Sequence, residues 1–373
     1  MCAVFGAGRD VRRPRCRSLT ATFHLRRSSY NRTIHFHSRE PTSAPILTSL
    51  ASHNAHPLDI VREDMQQVDD VIAERLTTDV PLVKEVSQYI ISAGGKRLRP
   101  ALLLLMSGAL RCDHPHRHAL AAVVEFIHTA TLLHDDVVDE STLRRGRSTA
   151  NERFGNAPSV LVGDFLYSRA FQMMVSANNM RVMEVLADAT NVIAEGEVLQ
   201  LMNMHDASLD EASYLKVIRS KTAKLFEASA RLAPILAGSG EAIEVACATY
   251  GQAIGTAFQI IDDVLDYEGD ASLLGKNLGD DLREGKVTLP LICALQRAST
   301  TEQALIRLAI EQGDLTHLSE ILAIIRNSGA LDAARALATA EAQRAIDALA
   351  VLDDNPHTNA LLHLAAGLLD RRM

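Results

Sequence analysis

Apolar residues recur at spacings of three and four along almost the whole chain after residue 57. The stretch "VREDMQQVDDVIAERL" (61–76) shows the pattern, with apolar residues at Val61, Met65, Val68, Ile72 and Leu76. This spacing is typical of an amphipathic α-helix. The same pattern predicts helices over 82–91, 100–110, 118–138, 158–175, 181–203, 212–237, 241–268, 287–297, 302–311, 315–326, 331–351 and 358–370.

The chain shows no convincing alternation of period two, so we expect no substantial β-sheet. Breakers such as "GG" at 94–95 and "GSG" at 238–240 separate the helical stretches by short loops. Roughly a dozen helices joined in this way predict one large all-α domain over residues 58–373. No apolar run reaches membrane-spanning length, since "PALLLLMSGAL" (100–110) is too short.

The first 48 residues differ in composition from the rest of the chain. They contain nine Arg, no Lys and only two acidic residues, so their net charge is +7. Because the whole chain has a net charge of −8, the remainder carries about −15. A body this acidic argues against a nucleic-acid partner. The Arg-rich segment fits an organelle transit peptide, and it fits equally well a start codon placed too far upstream. In both cases we expect residues 1–57 to be a disordered extension that is not part of the fold.

The five cysteines are odd in number and widely separated, at Cys2, Cys16, Cys112, Cys247 and Cys293. No pair has the spacing of metal ligands. Free thiols in a reducing compartment are the simplest interpretation.

Two acidic clusters end apolar helical stretches, in "LLHDDVVDE" (132–140) and "IIDDVLDYE" (260–268). Both follow the pattern DDxxD, at Asp135, Asp136 and Asp139 and at Asp262, Asp263 and Asp266. The first and last aspartates of each cluster lie four residues apart and so share a helix face. Their mutual repulsion grows beside apolar neighbours, so a cation is expected to offset it.

Carboxylates without His or Cys partners suit Mg²⁺, which prefers one or two carboxylates plus phosphate oxygens. The pair of clusters therefore predicts a diphosphate held between them through several Mg²⁺ ions. The plainer alternative is a helix end whose aspartates face solvent. That alternative is reasonable for one cluster, and the repetition of the motif makes it much weaker.

Four basic segments could bind the same anion. The segment "GGKRLRP" (94–100) does not fit the P-loop pattern, but its glycines allow a phosphate to approach the backbone closely. The candidate residues of the four segments are Lys96, Arg97 and Arg99, then Arg144 and Arg145, then Lys221 and Thr222, and finally Lys276. Any one segment alone could be an exposed basic surface. Their position next to the aspartates in the chain favours phosphate recognition.

His128 lies seven residues before Asp135, two helical turns back on the same face. A single histidine there is either a ligand for substrate or a hydrogen-bonded core residue, and the sequence favours the core residue. His134 points away from the aspartate face and is expected to pack. No Ser–His–Asp or Cys–His arrangement is evident, which disfavours covalent catalysis.

Taken together, these motifs resemble those of the trans-isoprenyl diphosphate synthases. The resemblance rests on two DDxxD motifs, "GGKRLRP" upstream of the first and "GKNLGDD" downstream of the second, and it covers residues 58–373. Stretches such as "EFIHTATLLHDDVVDE" and "NVIAEGEVLQLMN" are most similar to bacterial octaprenyl diphosphate synthases. This similarity favours an upstream start and a cytoplasmic bacterial enzyme. A mitochondrial long-chain synthase, with residues 1–48 as transit peptide, is the alternative.

The resemblance implies a helical bundle of the isoprenoid synthase type with a central cavity, in which three Mg²⁺ ions hold an allylic diphosphate. The implied metal ligands are Asp135, Asp139, Asp262 and Asp266. The implied contacts of the allylic diphosphate are Arg144, Lys221, Thr222, Gln259 and Lys276, with Lys221 also acting in catalysis. The implied contacts of isopentenyl diphosphate are Lys96, Arg99, His128 and Arg145.

The resemblance also bears on product length. Ala130 and Thr131, just before the first cluster, are small, and in this family bulky aromatics there stop growth at short products. We therefore expect a deep tunnel and a product of about eight isoprene units, used for quinone side chains and passed to a membrane. Met174, Phe126, Phe171 and Met173 are candidates for the lining, although core packing is the simpler role for each. An Ala130→Phe substitution should shorten the product.

Three alternatives remain at this point. A shorter-chain farnesyl or geranylgeranyl synthase would share the motifs. A terpene cyclase would share the fold but normally carries a different second metal motif. A non-catalytic subunit tends to lose one aspartate motif, and both are present here. The resemblance further implies a homodimer.

Overall fold

A computed structural model of the chain describes residues 56–268 and 279–369. Residues 1–55, on which the expected extension falls, and Lys276 lie outside the described residues. In chain order, the helices that we label α1 to α16 are Arg62–Arg75, Pro81–Ser92, Leu98–Ala109, Arg117–Val138, Ala150–Phe154, Asn156–Ser176, Met180–Met202, Glu211–Ile218, Lys224–Ala237, Glu241–Glu268, Asp280–Arg283, Leu289–Arg297, Thr300–Gln312, Leu318–Asn327, Ala330–Ala348 and Pro356–Gly367.

The prediction of an all-α fold is confirmed. The long helices begin and end within a few residues of the stretches that the apolar period marks, because each helix buries one apolar face. Helix α3 is buried along nearly its whole length, with Leu102, Leu103 and Leu105 fully inaccessible to solvent. It packs against α4 and α9. In this part of the bundle the core surrounds α3, α4, α6, α7 and α9.

A second core cluster forms between the C-terminal half of α10 and the helices that follow it. It includes Ile260, Val264, Leu291, Ile306 and Ile325. The long helix α10 packs against both α9 and α15, so it links the two clusters. Helices α4 and α10 thereby bring their C-terminal ends, where the aspartates lie, into the interior of the bundle.

Three local features depart from the expected pattern. A short hairpin pairs Leu143–Arg144 (β1) with Arg147–Ser148 (β2) in antiparallel fashion, and the five-residue helix α5 follows it. Both are too short to produce a periodic signal in the sequence. The helix expected over 212–237 is interrupted by a π-helical turn at Arg219–Ala223. Such turns are often found at functional sites.

No helix among the described residues is both long enough and apolar enough to cross a membrane.

Candidate active site

Both aspartate clusters lie at the C-terminal ends of their helices. Asp135 is in the last turn of α4, and Asp139 is the residue that follows the helix. Asp262 and Asp266 lie in the last two turns of α10. The C-terminal end of a helix carries partial negative charge, so it repels these carboxylates in addition to their repulsion of each other. A site built in this way needs cations from elsewhere in the chain.

Two lysines supply that charge to the first cluster. Lys221 Nζ lies 2.5 Å from Glu197 Oε2 and 3.6 Å from Asp135 Oδ2. Lys286 Nζ donates to Asp139 Oδ2 at 2.7 Å and to Glu284 Oε2 at 2.8 Å. Each ammonium group is thus shared between one aspartate of the motif and one glutamate from another element.

The electrostatics of the two lysines agree with this geometry. Burial alone would lower the pKa of Lys221, but the charges of Asp135 and Glu197 outweigh it and the pKa is raised. The pKa of Lys286 is also raised, because the charges of Asp139 and Glu284 outweigh its burial. Both lysines are therefore charged at neutral pH, and each is available to an anionic ligand of the cluster.

The second cluster is joined to the π-helical turn by hydrogen bonds. Thr222 Oγ1 donates to Gln259 Oε1 at 2.8 Å, and Gln259 Nε2 donates to Asp263 Oδ1 at 2.7 Å. Tyr214 Oη donates to Asp263 Oδ2 at 2.6 Å. Burial raises the pKa of Asp263 well above its usual value, and the nearby Asp281 raises it further. The middle aspartate of this motif is thus a structural group, and it holds Gln259 toward Thr222.

The loop after the second cluster approaches both motifs. The backbone N–H of Asp281 donates to Asp266 Oδ2 at 3.2 Å. Asp281 and Lys286 line the same cavity of about 140 Å³, together with Lys221, Thr222 and Gln259. Lys286 in turn reaches Asp139 of the first cluster. The two DDxxD motifs are therefore connected at one site, through Lys286 and the lining of this cavity.

Asp136, the middle aspartate of the first motif, is completely buried. It accepts hydrogen bonds from Arg144 Nε at 2.8 Å and from Arg144 Nη2 at 2.7 Å. Burial would lower the pKa of Arg144, but the adjacent carboxylate of Asp136 outweighs burial, so the pKa of Arg144 is raised. This pair fixes the β1–β2 hairpin to the end of α4.

A basic pocket lies on the other side of α4. The residues that line it include Arg97, Glu125, His128, Arg144 and Arg145, around a volume of about 30 Å³. That volume has room for one or two water molecules.

His128 and Arg99 contact each other at this pocket, with Arg99 Nη1 lying 3.1 Å from His128 Nε2. Burial and the neighbouring arginines hold the pKa of His128 well below its usual value. Because the guanidinium can only donate, the neutral imidazole accepts at Nε2. Burial lowers the pKa of Arg99 to about 10, which still leaves it charged at neutral pH.

The glycine pair of "GGKRLRP" shapes the same pocket. A Cβ on Gly95 would lie 2.5 Å from Arg145 Nη1, so the guanidinium of Arg145 occupies the space that a side chain would need. Arg97, two residues later, pairs with Asp69, and Lys96 is exposed. The structure thus brings Arg99, His128 and Arg145 together, whereas Lys96 is exposed and is not among the residues that line the pocket.

A larger cavity of about 780 Å³ extends from the first cluster between α4, α6 and α7. Asp135, Asp139 and Glu197 are among its lining residues. On α6 the lining extends from Asp164 to Phe171 and on α7 from Thr190 to Leu201, which corresponds to about 10 Å and about 16 Å along the helix axes. Its volume is within the range of about 300–1,000 Å³ that is typical of small-molecule sites.

The residues predicted to control product length fall in two environments. Thr131 lines the 780 Å³ cavity, as does Phe171. Ala130 and Met174 are fully buried in the core, and neither is among the residues that line this cavity. Their influence on product length stays a prediction. His134 stacks on Tyr167 with its Nε2 at 3.2 Å from Val160 O, but it lines this cavity together with Asp135 and Asp139, whereas the sequence predicted that it points away from them.

Three polar residues of the site were missed by sequence reasoning. Lys286 lies in a loop without periodicity, and its partner Asp139 is 147 residues away. Glu125 lies among the arginines of the basic pocket. Glu197 had a detectable signal, because it stands four residues after Ile193 and four before Leu201, as a charge within an apolar helical row.

The donor set fits a hard divalent cation. Within residues 56–268 and 279–369, no three acidic, His or Cys side chains converge closely enough to hold a metal ion by themselves. Aspartate oxygens are nevertheless the ligands that Mg²⁺ prefers, and it takes its remaining ligands from water and phosphate. Lys221 and Lys286 now place a positive charge beside these same carboxylates.

The polyprenyl synthetase family model matches residues 80–353. The chain belongs to this family of prenyltransferases. It is 52% identical over 308 residues to the octaprenyl diphosphate synthase of Escherichia coli, covering 82% of this chain and 95% of the relative. It is 50% identical to the octaprenyl diphosphate synthase of Haemophilus influenzae, covering 83% and 94%.

A solved structure of the polyprenyl synthetase family supports the same assignment. The polyprenyl synthase of Caulobacter crescentus, determined with calcium and isoprenyl diphosphate, superposes with a TM-score of 0.82 at 46% identity. The alignment covers 85% of this chain and 97% of that one. The family resemblance inferred from the two DDxxD motifs is therefore confirmed.

Proposed function

We propose that the chain is a long-chain trans-polyprenyl diphosphate synthase. It adds isopentenyl diphosphate units to an allylic diphosphate, with farnesyl diphosphate as starter, and makes a product of about octaprenyl length for quinone side chains. The single observation that carries this proposal is the meeting of both DDxxD motifs at one site through Lys221, Gln259 and Lys286. The two octaprenyl diphosphate synthases at 50–52% identity support the product class.

The allylic diphosphate is assigned to the space between the two aspartate clusters. Asp135, Asp139, Asp262 and Asp266 would hold Mg²⁺, with three ions per site by analogy with the family. When bound, Mg²⁺ would neutralise charge on the diphosphate oxygens. Lys221 and Thr222 come from the π-helical turn, and Gln259 and Lys286 come from the facing side of the cavity. Lys286 is added here to the contacts that the sequence predicted.

Isopentenyl diphosphate is assigned to the basic pocket. His128 and Arg145 line it, Arg99 contacts His128, and the exposed Lys96 is proposed as a further contact of the incoming anion. Because the neutral His128 accepts from Arg99 at Nε2, its ring proton is on Nδ1, and Nδ1–H is the donor it can offer to a ligand. Arg144 borders this pocket through its pair with Asp136, so it can influence both diphosphates.

The reaction begins when the allylic C–O bond breaks, which leaves diphosphate and a delocalised carbocation. Negative charge grows on the leaving oxygen in the transition state, and Lys221 and Lys286 are placed to stabilise it most at that point. The double bond of isopentenyl diphosphate then attacks the cation and forms the new C–C bond. Loss of a proton, which the released diphosphate can accept, restores a double bond.

The tail of the growing chain needs an apolar space without water, because water would quench the carbocation. The 780 Å³ cavity begins at Asp135 and passes Thr131, Tyr167 and Phe171, so it can receive the tail behind the reacting carbon. Thr131 is small, and Phe171 lies at the far end. This arrangement supports a long product.

The exposed apolar surface near the 780 Å³ cavity supports the proposal of a homodimer. Exposed apolar side chains lie on α6 and α7, at Leu161, Val175, Val198, Leu201 and Met202. Val198 and Leu201 line the 780 Å³ cavity, and Met202 ends α7 next to them. A second copy of the chain on this face would cover the apolar surface and shield the tail from water. Analytical ultracentrifugation of purified protein would test this.

We place the enzyme in the bacterial cytoplasm, because the relatives cited above are bacterial. The product would then pass from the enzyme to a membrane, since an apolar tail of this length is stable in lipid rather than in water. Fractionation of cells that express the untagged protein tests the assignment.

The proposal is tested by incubating purified protein with farnesyl diphosphate, isopentenyl diphosphate and Mg²⁺. Release of diphosphate that depends on both substrates, with a polyprenyl product resolved by chromatography, supports it. A cyclic hydrocarbon from farnesyl diphosphate alone would identify a cyclase. Absence of turnover with every allylic starter would identify a non-catalytic subunit.

A further inference from the structure

The π-helical turn Arg219–Ala223 carries two of the residues assigned to the allylic diphosphate, so its position matters for the reaction. It is enclosed on two sides by helices that approach unusually closely. A Cβ on Gly196 of α7 would lie 2.8 Å from Lys221 N, and a Cβ on Gly255 of α10 would lie 2.6 Å from Ala223 Cα. The turn is therefore held laterally by backbone contact rather than by side chains.

A third contact holds the turn from a helix that has no residue in the site. Arg219 Nη2 donates to Glu341 Oε1 of α15 at 2.8 Å. Glu341 is buried, with 6% of its surface exposed. Its other oxygen accepts from Arg344, at 2.8 Å from Nε and 2.7 Å from Nη2. This buried carboxylate is thus paired with two arginines, one on each oxygen.

The network also reaches the helix that bears the second cluster. Arg344 Nη2 donates to Gln252 Oε1 of α10 at 3.1 Å. Gln252 lies seven residues before Gln259, which binds Thr222 at the other end of the turn. The turn is thus fixed at Arg219 through Glu341 and at Thr222 through Gln259, with Lys221 between the two attachments.

We infer that the Arg219–Glu341 ion pair positions Lys221 for the allylic diphosphate, so that Arg219 and Glu341 are positioning residues for the reaction although neither reaches the substrate site. This inference rests on the proposed function, because it assumes that Lys221 binds the allylic diphosphate. Breaking the pair allows the turn to move while its lateral contacts remain. Lys221 then leaves the geometry in which it stabilises the departing diphosphate.

Arg219→Ala and Arg344→Ala form a matched pair of variants. Both remove one arginine from the same carboxylate, and the two side chains are similarly exposed, at 39% and 36%. Arg219→Ala breaks the attachment of the turn, and Arg344→Ala leaves it intact. We expect kcat/KM for farnesyl diphosphate to fall 10- to 100-fold in Arg219→Ala, since a misplacement of about 1 Å can cost about 100-fold. Arg344→Ala should stay within about twofold of wild type, and KM for isopentenyl diphosphate should be unchanged in both.

Lys221→Ala completes the test. If Arg219 acts through Lys221, the double variant Arg219→Ala/Lys221→Ala should be no worse than Lys221→Ala alone. Equal losses in Arg219→Ala and Arg344→Ala, or additive losses in the double variant, would overturn the inference. If Lys221→Ala kept wild-type kcat/KM, the assignment of Lys221 itself would be wrong. A loss in Lys221→Ala without a loss in Arg219→Ala refutes the positioning role alone.

Discussion

Replacing Gly196 with alanine tests how tightly the site depends on the contact between α7 and the π-helical turn. The new Cβ would lie 2.8 Å from both Lys221 N and Ser220 Cβ. Carbon atoms in favourable contact are about 3.5 Å apart, so the helix and the turn must separate by roughly 0.7 Å. Glu197, the next residue on α7, and Lys221 form a 2.5 Å ion pair across this contact.

The expected effects on stability and activity differ in size. Overpacking costs about 1–3 kcal/mol, and alanine regains about 0.5–1 kcal/mol of helix propensity, so the net loss of stability is about 0–2.5 kcal/mol. The displacement of Lys221 is expected to lower kcat/KM for farnesyl diphosphate by about 10- to 100-fold. The assay is steady-state diphosphate release, with thermal unfolding measured in parallel.

Gly367 provides the matched control, because it is the last residue of α16 and a Cβ added there would meet no other atom within 4 Å. Gly367→Ala should retain wild-type activity and unfold at the same or a slightly higher temperature. If Gly196→Ala retained activity within twofold of Gly367→Ala, the argument that close backbone contact positions Lys221 would be refuted.

Further predictions concern the cavity, the second lysine and the thiols. Thr131→Phe should shorten the product and Phe171→Ala should lengthen it, as measured by reversed-phase chromatography. If both variants made products of unchanged length, the 780 Å³ cavity would be excluded as the site of the polyprenyl tail. Lys286→Met should lower kcat about 100-fold, as expected for one lost transition-state donor; a change in KM alone would assign Lys286 to substrate binding only. Burial raises the pKa of Cys247 to about 12, so this thiol stays protonated up to about pH 10. Iodoacetamide at about pH 8 should label the partly exposed Cys112 and spare Cys247, and peptide mass spectrometry would detect the opposite result.

The helices and the aspartate faces could be predicted because their signals are local. Asp135 and Asp139 share a face through a four-residue spacing, and the apolar period of α4 fixes where that face points. The same argument holds for Asp262 and Asp266. The sequence thus contained enough to predict where both aspartate faces lie, although it did not contain their contacts.

The contacts that complete the site depend on residues far apart in the chain. Lys286 reaches Asp139 from the loop after α11, and no spacing rule connects positions 147 residues apart. Arg144 was predicted as a contact of the allylic diphosphate, which stays a prediction, and the structure pairs it with the buried Asp136. The π-helical turn was predicted as continuous helix, because apolar residues keep the helical period on both sides of it.

The interruption at Arg219–Ala223 makes the number of residues in this segment important, and not only their identity. One π-helical turn contains more residues than one α-helical turn. Deleting Ser220 would allow α8 and α9 to join as one regular helix, but each residue accounts for about 100° of rotation. Tyr214 and Lys221 would then no longer face the same cavity, so a lineage can substitute residues here more easily than it can lose one.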